Sequence, residues 1–208
     1  MGLIQRERRD IFYKIAKALG YRSRSALKLL QINEATGILQ GLIFRTSLHI
    51  WILGISRAVD LCASPGGFSK VLTEFVQPQG SDGSPNVLGI DLQLIVPFEG
   101  AEFWIRDITD RSLYTDILSR MGEVDLVLCD GSPDSLGTAN EDIYYQMDLV
   151  LNALILGISI LREGGKFVSK VFRGRKIKLL VYIISQFFDS VQIFKPRVCR
   201  QSSCGKFI

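Results

Sequence analysis

The feature of the sequence that most constrains its fold is a regular alternation of short apolar runs with longer stretches of helical periodicity. The short runs are AVDLCAS, VLGID, EVDLVLCD and GGKFVSKVF. Strands that are apolar on both faces are typical of a parallel sheet covered by helices on both sides. The alternation therefore predicts an α/β fold of the Rossmann-like kind, a mostly parallel, doubly wound sheet. A length of 208 residues suits one domain, over 1–208.

The elements can be placed approximately along the chain. We predict helices over about 7–18 and 23–36, from the PGGF turn to about Phe75, over about 110–121, after GSPDSLGTAN up to Leu161, and, beyond the strand that contains Lys170, through about Phe188. Strands are predicted at the four apolar runs, at AEFWI and at SVQIF. One stretch, LIFRTSLHIWILGIS at 42–56, is apolar but interrupted by Arg45 and His49. It is too short and too interrupted for a membrane span. It is an atypical insertion that leaves three alternatives open: an extra strand, a docking surface or an error in the gene model.

The net charge of +4 conceals a strong segregation of charge along the chain. Residues 1–28 carry eight Lys or Arg and two acids, residues 166–208 carry ten and one, and the middle carries seven and eighteen. If the two basic ends meet in space, they form a patch for a polyanion. The alternative is that the lysines simply solvate exposed faces; we favour the polyanion because the segregation is so large.

The cysteines and the histidine indicate no metal site. Four cysteines stand without a CxxC pair, and His49 is the single histidine. This pattern argues against zinc. It fits a reduced intracellular setting, and we expect a cytoplasmic protein.

Acids stand at or near the ends of four predicted strands, at Asp60, Asp91, Asp107 and Asp130. In open α/β sheets, ligands bind at the carboxyl ends of the strands. An acid ending the second strand is placed to accept hydrogen bonds from ribose hydroxyls, and Asp107 is placed for an adenine edge. A single acid here is often only a helix cap, but four in matching places favour a ligand site.

The loop after the first of these strands narrows the ligand class. Gly66 and Gly67 let the backbone approach a ligand closely, but the loop is not GxGxxG, and Pro65 removes an amide donor. A nucleoside cofactor without a pyrophosphate, such as S-adenosylmethionine, suits it better than a dinucleotide. Lys170 lies in the middle of another predicted strand, where a lysine is rarely buried unless paired.

Several motifs together resemble one family. DLCASPGGF, the acid of GIDLQ, RDIT, CDGSPD and KVFRGR, in that order, are similar to motifs of the FtsJ-like 2′-O-ribose RNA methyltransferases. The resemblance runs from Arg9 to about Ser203. It is closest to the branch that methylates the anticodon loop of eukaryotic tRNA, at nucleotides 32 and/or 34, whose opening resembles RDIFYKIAKALGYRSRSALKLLQ.

The resemblance implies roles for individual residues. Lys28, Asp130 and Lys170 match three members of a catalytic lysine–aspartate–lysine–glutamate set, with Lys170 as the general base. The positions that match the family's S-adenosylmethionine contacts are Gly66, Phe68, Asp91, Asp107 and Asp130. Phe68 stands where a tryptophan is common. A lysine beside a second cation and partly removed from water has a lowered pKa, which suits a base. The alternative is a lysine that extends its amine to water from a strand.

The resemblance breaks down near the C-terminus. The position of the family glutamate is occupied by Gly205 in SSCGKFI, and the chain ends at Ile208. We therefore expect the sheet to lack its last strand and the site to lack its fourth member, through truncation or an altered gene model.

Three functions remain open at this point. The first is methylation of tRNA, for which the branch implies separate partner proteins, one of them a WD-repeat protein, with Arg22, Arg24, Arg173, Arg175 and Arg197 as candidates for RNA phosphate contacts. The others are an RNA-binding relative that no longer methylates, or a nucleotide-dependent dehydrogenase, which the absent GxGxxG opposes. A ribosomal RNA substrate is an alternative to tRNA within the family.

Overall fold

A computed structural model describes residues 11–40, 42–45, 50–76, 84–133, 139–174, 176–199 and 204–208. In chain order the helices are α1 (described over 11–18), α2 (Ser25–Thr36), α3 (Gly67–Phe75), α4 (Leu113–Met121), α5 (Ala139–Ile160) and α6 (Ile177–Ile184). The strands are β1 (Leu42–Arg45), β2 (Ile50–Leu53), β3 (Ala58–Leu61), β4 (Val87–Asp91), β5 (Glu102–Ile105), β6 (Val124–Cys129), β7 (Leu161–Phe172) and β8 (Gly205–Phe207).

Six of these strands form one sheet, in the order β5-β4-β3-β6-β7-β8. The five strands from β5 to β7 are parallel, and β8 runs antiparallel to β7. The strand order reverses direction at β3, whose neighbours are β4 and β6, and ligands bind at such a reversal. The predicted fold class, a mostly parallel Rossmann-like sheet, is confirmed.

Alternate residues of the strands face two separate helical layers. Leu126 and Leu128 of β6 pack with α2 and α3, whereas Val127 and Cys129 pack with α4 and α5. This follows from the two-residue period of a strand, and it explains why the strands read as continuously apolar. The stretch Glu141–Ile160 of α5 is long and apolar enough to cross a membrane by composition alone. Its inner face packs on the sheet instead, with Ala153 fully buried.

The two basic ends of the chain meet, as the charge segregation suggested. Ala16 of α1, Leu27 of α2 and Val198 form one buried cluster. The Val198 amide donates a 3.0 Å hydrogen bond to Oε1 of Gln31 in α2. The N-terminal helices and the segment before β8 therefore present their Lys and Arg residues on neighbouring surfaces.

The far edge of the sheet differs from the prediction in two ways. The predicted strand at SVQIF forms only one bridge, between Phe194 and Phe207, because β8 offers just three residues to pair with. The expected absence of a last strand was wrong, since β8 occupies that place beside Lys170–Phe172. Beyond β8, the outer side of β7 opens onto a groove of about 780 Å³ that is walled by residues 187–194.

The atypical stretch at 42–56 contains the short strands β1 and β2. They pair antiparallel with each other and form a two-stranded sheet of their own. Of the alternatives, an extra strand is the nearest to what is found, although the pair does not join the main sheet. Residues 46–49, including His49, lie outside the described residues.

Candidate functional site

The three residues matched to the catalytic set come together at the carboxyl end of the sheet. Lys28 Nζ donates a 2.5 Å hydrogen bond to Oδ2 of Asp130, and Lys170 Nζ lies 4.0 Å from Oδ1 of the same carboxylate. The lysine side chains are each 17% exposed, and that of Asp130 is 14% exposed. Lys170 therefore does not extend its amine to open solvent, and one carboxylate is shared by two cations.

Three different elements bring these side chains together. Lys28 projects from the first turn of α2, Asp130 follows the last residue of β6, and Lys170 lies near the end of β7. The buried Gln146 of α5 fixes β7 from the other face. Its Nε2 donates to the carbonyl of Lys170 at 2.8 Å and to that of Gly131 at 3.2 Å.

The position of Lys170 changes its acid–base behaviour. Burial lowers the pKa of Lys170, and the nearby Lys28 cation lowers it further, while Asp130 acts in the opposite direction. Asp130 Oδ1 is buried and accepts no hydrogen bond from the described residues. The site thus combines a lysine whose pKa is lowered by burial with a carboxylate oxygen that remains available to a ligand.

A cavity of about 500 Å³ opens beside the two lysines. Gly205 and Phe207 of β8 contribute to its wall, together with Phe172 and Cys199. Gly205, the position that the resemblance matches to the family glutamate, pairs with Phe172, two residues along β7 from Lys170. The strand around this position is therefore present, although Gly205 offers no carboxylate to the cavity.

The predicted cofactor loop lies one strand away from the lysines. Asp91, at the end of β4, accepts 2.9 Å and 2.8 Å hydrogen bonds from the amides of Ser64 and Gln93. Gly66 has φ of +94°, the left-handed conformation that favours glycine, and it precedes α3. These bonds orient the Asp91 carboxylate at the end of the parallel strands, where a ribose would lie.

Two other predicted cofactor residues, Asp107 and Phe68, differ in their exposure to solvent. Asp107 is exposed, and its Oδ1 accepts from the amide and hydroxyl of Thr109 at 2.9 Å and 2.8 Å. Phe68 is only 2% exposed and lies in the core, its ring 6.1 Å from that of Phe207. The Phe68 ring is therefore buried in the hydrophobic core and has no exposed face toward the cofactor loop.

Asp60, the fourth acid at a strand end, is almost completely buried. It accepts a 2.6 Å hydrogen bond from the Ser69 hydroxyl. Burial raises the pKa of Asp60 to about 7, and the carboxylates of Asp130 and Asp91 add to this rise. Three of the four acids therefore lie close enough to interact, which is the clustering that the strand ends indicated.

Sequence reasoning missed what closes the cofactor loop. Arg22 donates to the carbonyl of Val96, and its guanidinium lies 4.7 Å from the Phe98 ring centre. Phe98 in turn lies over Gly66, where an added Cβ would meet the ring at 3.1 Å. Arg22, a candidate for contacts with RNA phosphates, thus binds the segment Val96–Phe98, which in turn packs on the cofactor loop at Gly66. An aromatic residue a few positions after a strand-end acid was the only signal available.

The other basic candidates are distributed around the site. Arg24 precedes α2 and lines the 500 Å³ cavity, and Arg173 and Arg197 are exposed on either side of β8. Arg175 lies outside the described residues. No cluster of three or more metal-ligating side chains occurs in the part of the chain that the structure describes.

Comparisons with known proteins agree with this arrangement. A family model described as FtsJ-like methyltransferase matches residues 21–208. The human protein named tRNA (cytidine(32)/guanosine(34)-2′-O)-methyltransferase is 40% identical over 209 residues, which cover 100% of this chain and 59% of the human protein. A Schizosaccharomyces pombe protein of the same name is 37% identical over 215 residues, covering 100% of this chain and 71% of that protein.

A solved structure supports the fold independently. A putative ribosomal RNA methyltransferase from Plasmodium falciparum superposes with a TM-score of 0.71 at 19% identity, covering 90% of this chain and 95% of that one. The chain spans about three fifths of the length of its human and mouse relatives.

Proposed function

Because the chain belongs to the FtsJ-like methyltransferase family, we propose that it transfers a methyl group from S-adenosylmethionine to a ribose 2′-hydroxyl of tRNA, in the anticodon loop at nucleotide 32, 34 or both. The observation that carries this proposal is the meeting of Lys28 and Lys170 at one carboxylate, beside the cofactor loop. The names of the human and Schizosaccharomyces pombe relatives support the choice of tRNA.

The acids at the strand ends have the chemistry to hold the cofactor. Asp91 would accept hydrogen bonds from ribose hydroxyls and Asp107 from the adenine amine, since each carboxylate oxygen can accept more than one bond. The buried Oδ1 of Asp130, which has no donor among the described residues, would lie near a positive sulfonium. When bound, S-adenosylmethionine supplies an electrophilic methyl group.

The lysines supply the acid–base chemistry. The ribose 2′-oxygen takes the methyl group while its proton passes to the neutral amine of Lys170, leaving a protonated lysine, a 2′-O-methylribose and S-adenosylhomocysteine. Lys28 holds Asp130 at 2.5 Å, so the carboxylate is fixed before substrate binds. Holding the 2′-hydroxyl and the methyl group in line would supply much of the acceleration, and a general base adds about 10²- to 10⁴-fold.

Gly205 favours a second candidate, an RNA-binding relative that is catalytically impaired. It lines the same cavity as Lys170 and pairs with Phe172, but it lacks the carboxylate that the resemblance predicts at this position. A ribosomal RNA substrate is a further alternative within the same chemistry. A separate partner protein, such as a WD-repeat protein that selects the nucleotide, and a cytoplasmic location complete the proposal; the four free cysteines support a reducing compartment.

The test is transfer of labelled methyl from S-adenosylmethionine to an unmodified tRNA transcript, with an unmodified ribosomal RNA fragment as the competing substrate. We expect label on a ribose of the anticodon loop with the wild-type chain and none with Lys170→Ala. Cofactor and tRNA binding without transfer, restored by Gly205→Glu, would identify the impaired relative. No transfer by either form, with both ligands bound, would exclude the enzyme.

A further inference from the structure

Two adjacent tyrosines are exposed near the beginning of α5. Tyr144 is 61% exposed and Tyr145 is 47% exposed. Their ring centres lie 5.8 Å apart at an interplanar angle of 84°. The Lys176 amine lies 5.2 Å from the centre of the Tyr144 ring. Neither ring is needed for the core, so the pair forms an open aromatic surface with a cation at its side.

One residue, Gln146, connects this aromatic surface to β7, the strand that contains Lys170. Gln146 follows Tyr145 directly, and its side chain donates to the carbonyl of Lys170 at 2.8 Å. The helix therefore holds the tyrosines within about one turn of the point where α5 contacts β7. Because α5 and α2 cover opposite faces of the sheet, the tyrosines lie across β7 from Lys28.

Exposed cations follow β7, and one of them, Lys176, lies beside Tyr144. Arg173, Lys176 and Lys178 are all exposed and follow the Lys170 strand directly. Three acids of α5, Glu141, Asp142 and the exposed Asp148, lie within about one turn of the tyrosines, and the first two already interact with other residues. Aromatic side chains beside cations, without a deep pocket, are typical of proteins that bind unpaired nucleic acid strands.

We propose that Tyr144 and Tyr145 form a platform on which an unpaired base of the RNA substrate stacks, with Lys176 and Lys178 contacting the phosphates on either side of it. The stacked base is a neighbour of the methylated nucleotide, on the other side of β7 from the reacting ribose. This inference rests on the proposed function, since it requires an RNA substrate with a single-stranded loop. It adds a site that holds the loop open while the 2′-hydroxyl faces Lys170.

The platform is tested with Tyr144→Ala/Tyr145→Ala in one chain. Alanine is the best helix former, so α5 remains intact, and the thermal unfolding temperature checks this. Tyr144→Phe/Tyr145→Phe keeps the ring faces, and Tyr182→Ala removes an equally exposed tyrosine from α6 as a matched control. Two measurements follow: the KM and kcat for tRNA, and the fluorescence of a stem-loop RNA that carries 2-aminopurine at each loop position in turn.

We expect the double alanine variant to raise the KM for tRNA roughly 5- to 100-fold with little change in kcat, because one stacked base is lost. At one loop position, 2-aminopurine should be quenched by the wild-type chain, by the phenylalanine variant and by Tyr182→Ala, but not by the double alanine variant. An unchanged KM and unchanged quenching in that variant would overturn the platform and leave the tyrosines as a protein-facing surface. If instead the wild-type chain transfers no methyl group to tRNA, the proposed function itself fails, and the two failures are thereby separated.

Discussion

Two lysines of strand β7, Lys166 and Lys170, show how a shared setting can lead to different roles. They are four residues apart, so their side chains leave the same face of the sheet, toward the α2 layer. Burial lowers the pKa of both. Lys166 Nζ donates to the carbonyls of Gln40 at 2.7 Å and Ile38 at 3.1 Å, whereas Lys170 has a carboxylate at 4.0 Å and a second lysine nearby.

The difference lies in the partners of the two amines. Two backbone carbonyls hold the Lys166 amine in place, and these hydrogen bonds anchor the loop after α2 to β7. A carboxylate at 4.0 Å and a neighbouring cation suit the proposed role of Lys170 as a base. Burial of a lysine therefore does not by itself identify a base; the character of its nearest neighbours does.

The sharpest test of this comparison is the effect of each lysine on the rate. We expect Lys170→Ala to reduce kcat for methyl transfer by about 10²- to 10⁴-fold, because the general base is lost. Lys170→Arg keeps the positive charge but cannot act as a base at neutral pH, and it should be equally impaired. Lys166→Ala should retain the rate of the folded protein. An active Lys170→Arg enzyme would contradict the assignment of the base.

The second effect concerns the free energy of unfolding, to which we expect Lys166 to contribute more than Lys170. Lys166→Met removes two hydrogen bonds from a charged donor to backbone carbonyls, and we expect it to reduce the free energy of unfolding by about 1–3 kcal/mol. Urea unfolding measures this, with Lys17→Met on the exposed face of α1 as the matched control. Equal stability of the two variants would show that the Lys166 contacts contribute nothing.

A third effect appears in the pH dependence. As the proposed base, Lys170 would act in its neutral form, so we expect kcat/KM to rise with pH through the lowered pKa of this lysine and to level off above it. Lys28→Met removes a cation that lowers the pKa of Lys170 and leaves Asp130 to pair with Lys170 alone. Both changes raise that pKa, so the rise should move to higher pH. A rise that stays in place, measured in the residual activity, would mean that another group is the base.

The smallest effect is expected at Gly205. Gly205→Glu places a carboxylate beside Lys170, which raises its pKa and moves the rise in rate to higher pH, with a larger plateau rate if the carboxylate resumes its family role. Gly205→Gln has nearly the same shape without the charge. The pH profile of the glutamine variant should match the wild type; a shift in both would point to packing in place of charge.

The sequence predicted the strands around the site better than those at the edge of the sheet. Buried parallel strands such as β3 and β6 are continuously apolar, and the acids that follow them mark the ligand edge, so their placement needed only local patterns. The roles of Lys28 and Lys170 came from a resemblance, because no periodicity relates residues 142 positions apart in the chain. They remain predictions, although the structure brings the two side chains to one carboxylate.

The errors fall where long-range pairing overrides local preference. SVQIF has the composition of a strand, but its available partner is three residues long, so it makes one bridge at Phe194. Residues Gly205–Phe207 carry almost no strand signal and yet pair with β7, because that edge was open. The contact of Arg22 with the loop at Val96–Phe98 was also not predicted, since it depends on how the chain before α2 approaches the loop after β4.

The shortness of β8 has a consequence for hydrogen exchange along β7. The amide and carbonyl of Ser169 both bond to Ile208, so those of Phe167, two residues earlier, point to the same outer side. No strand of the described residues lies beyond β7 at that point, whereas Val168 bonds inward to β6. The Phe167 amide should therefore exchange with solvent deuterium much faster than its neighbour Val168. An extended segment that bound in the groove beside β7 would slow the hydrogen exchange of the Phe167 amide.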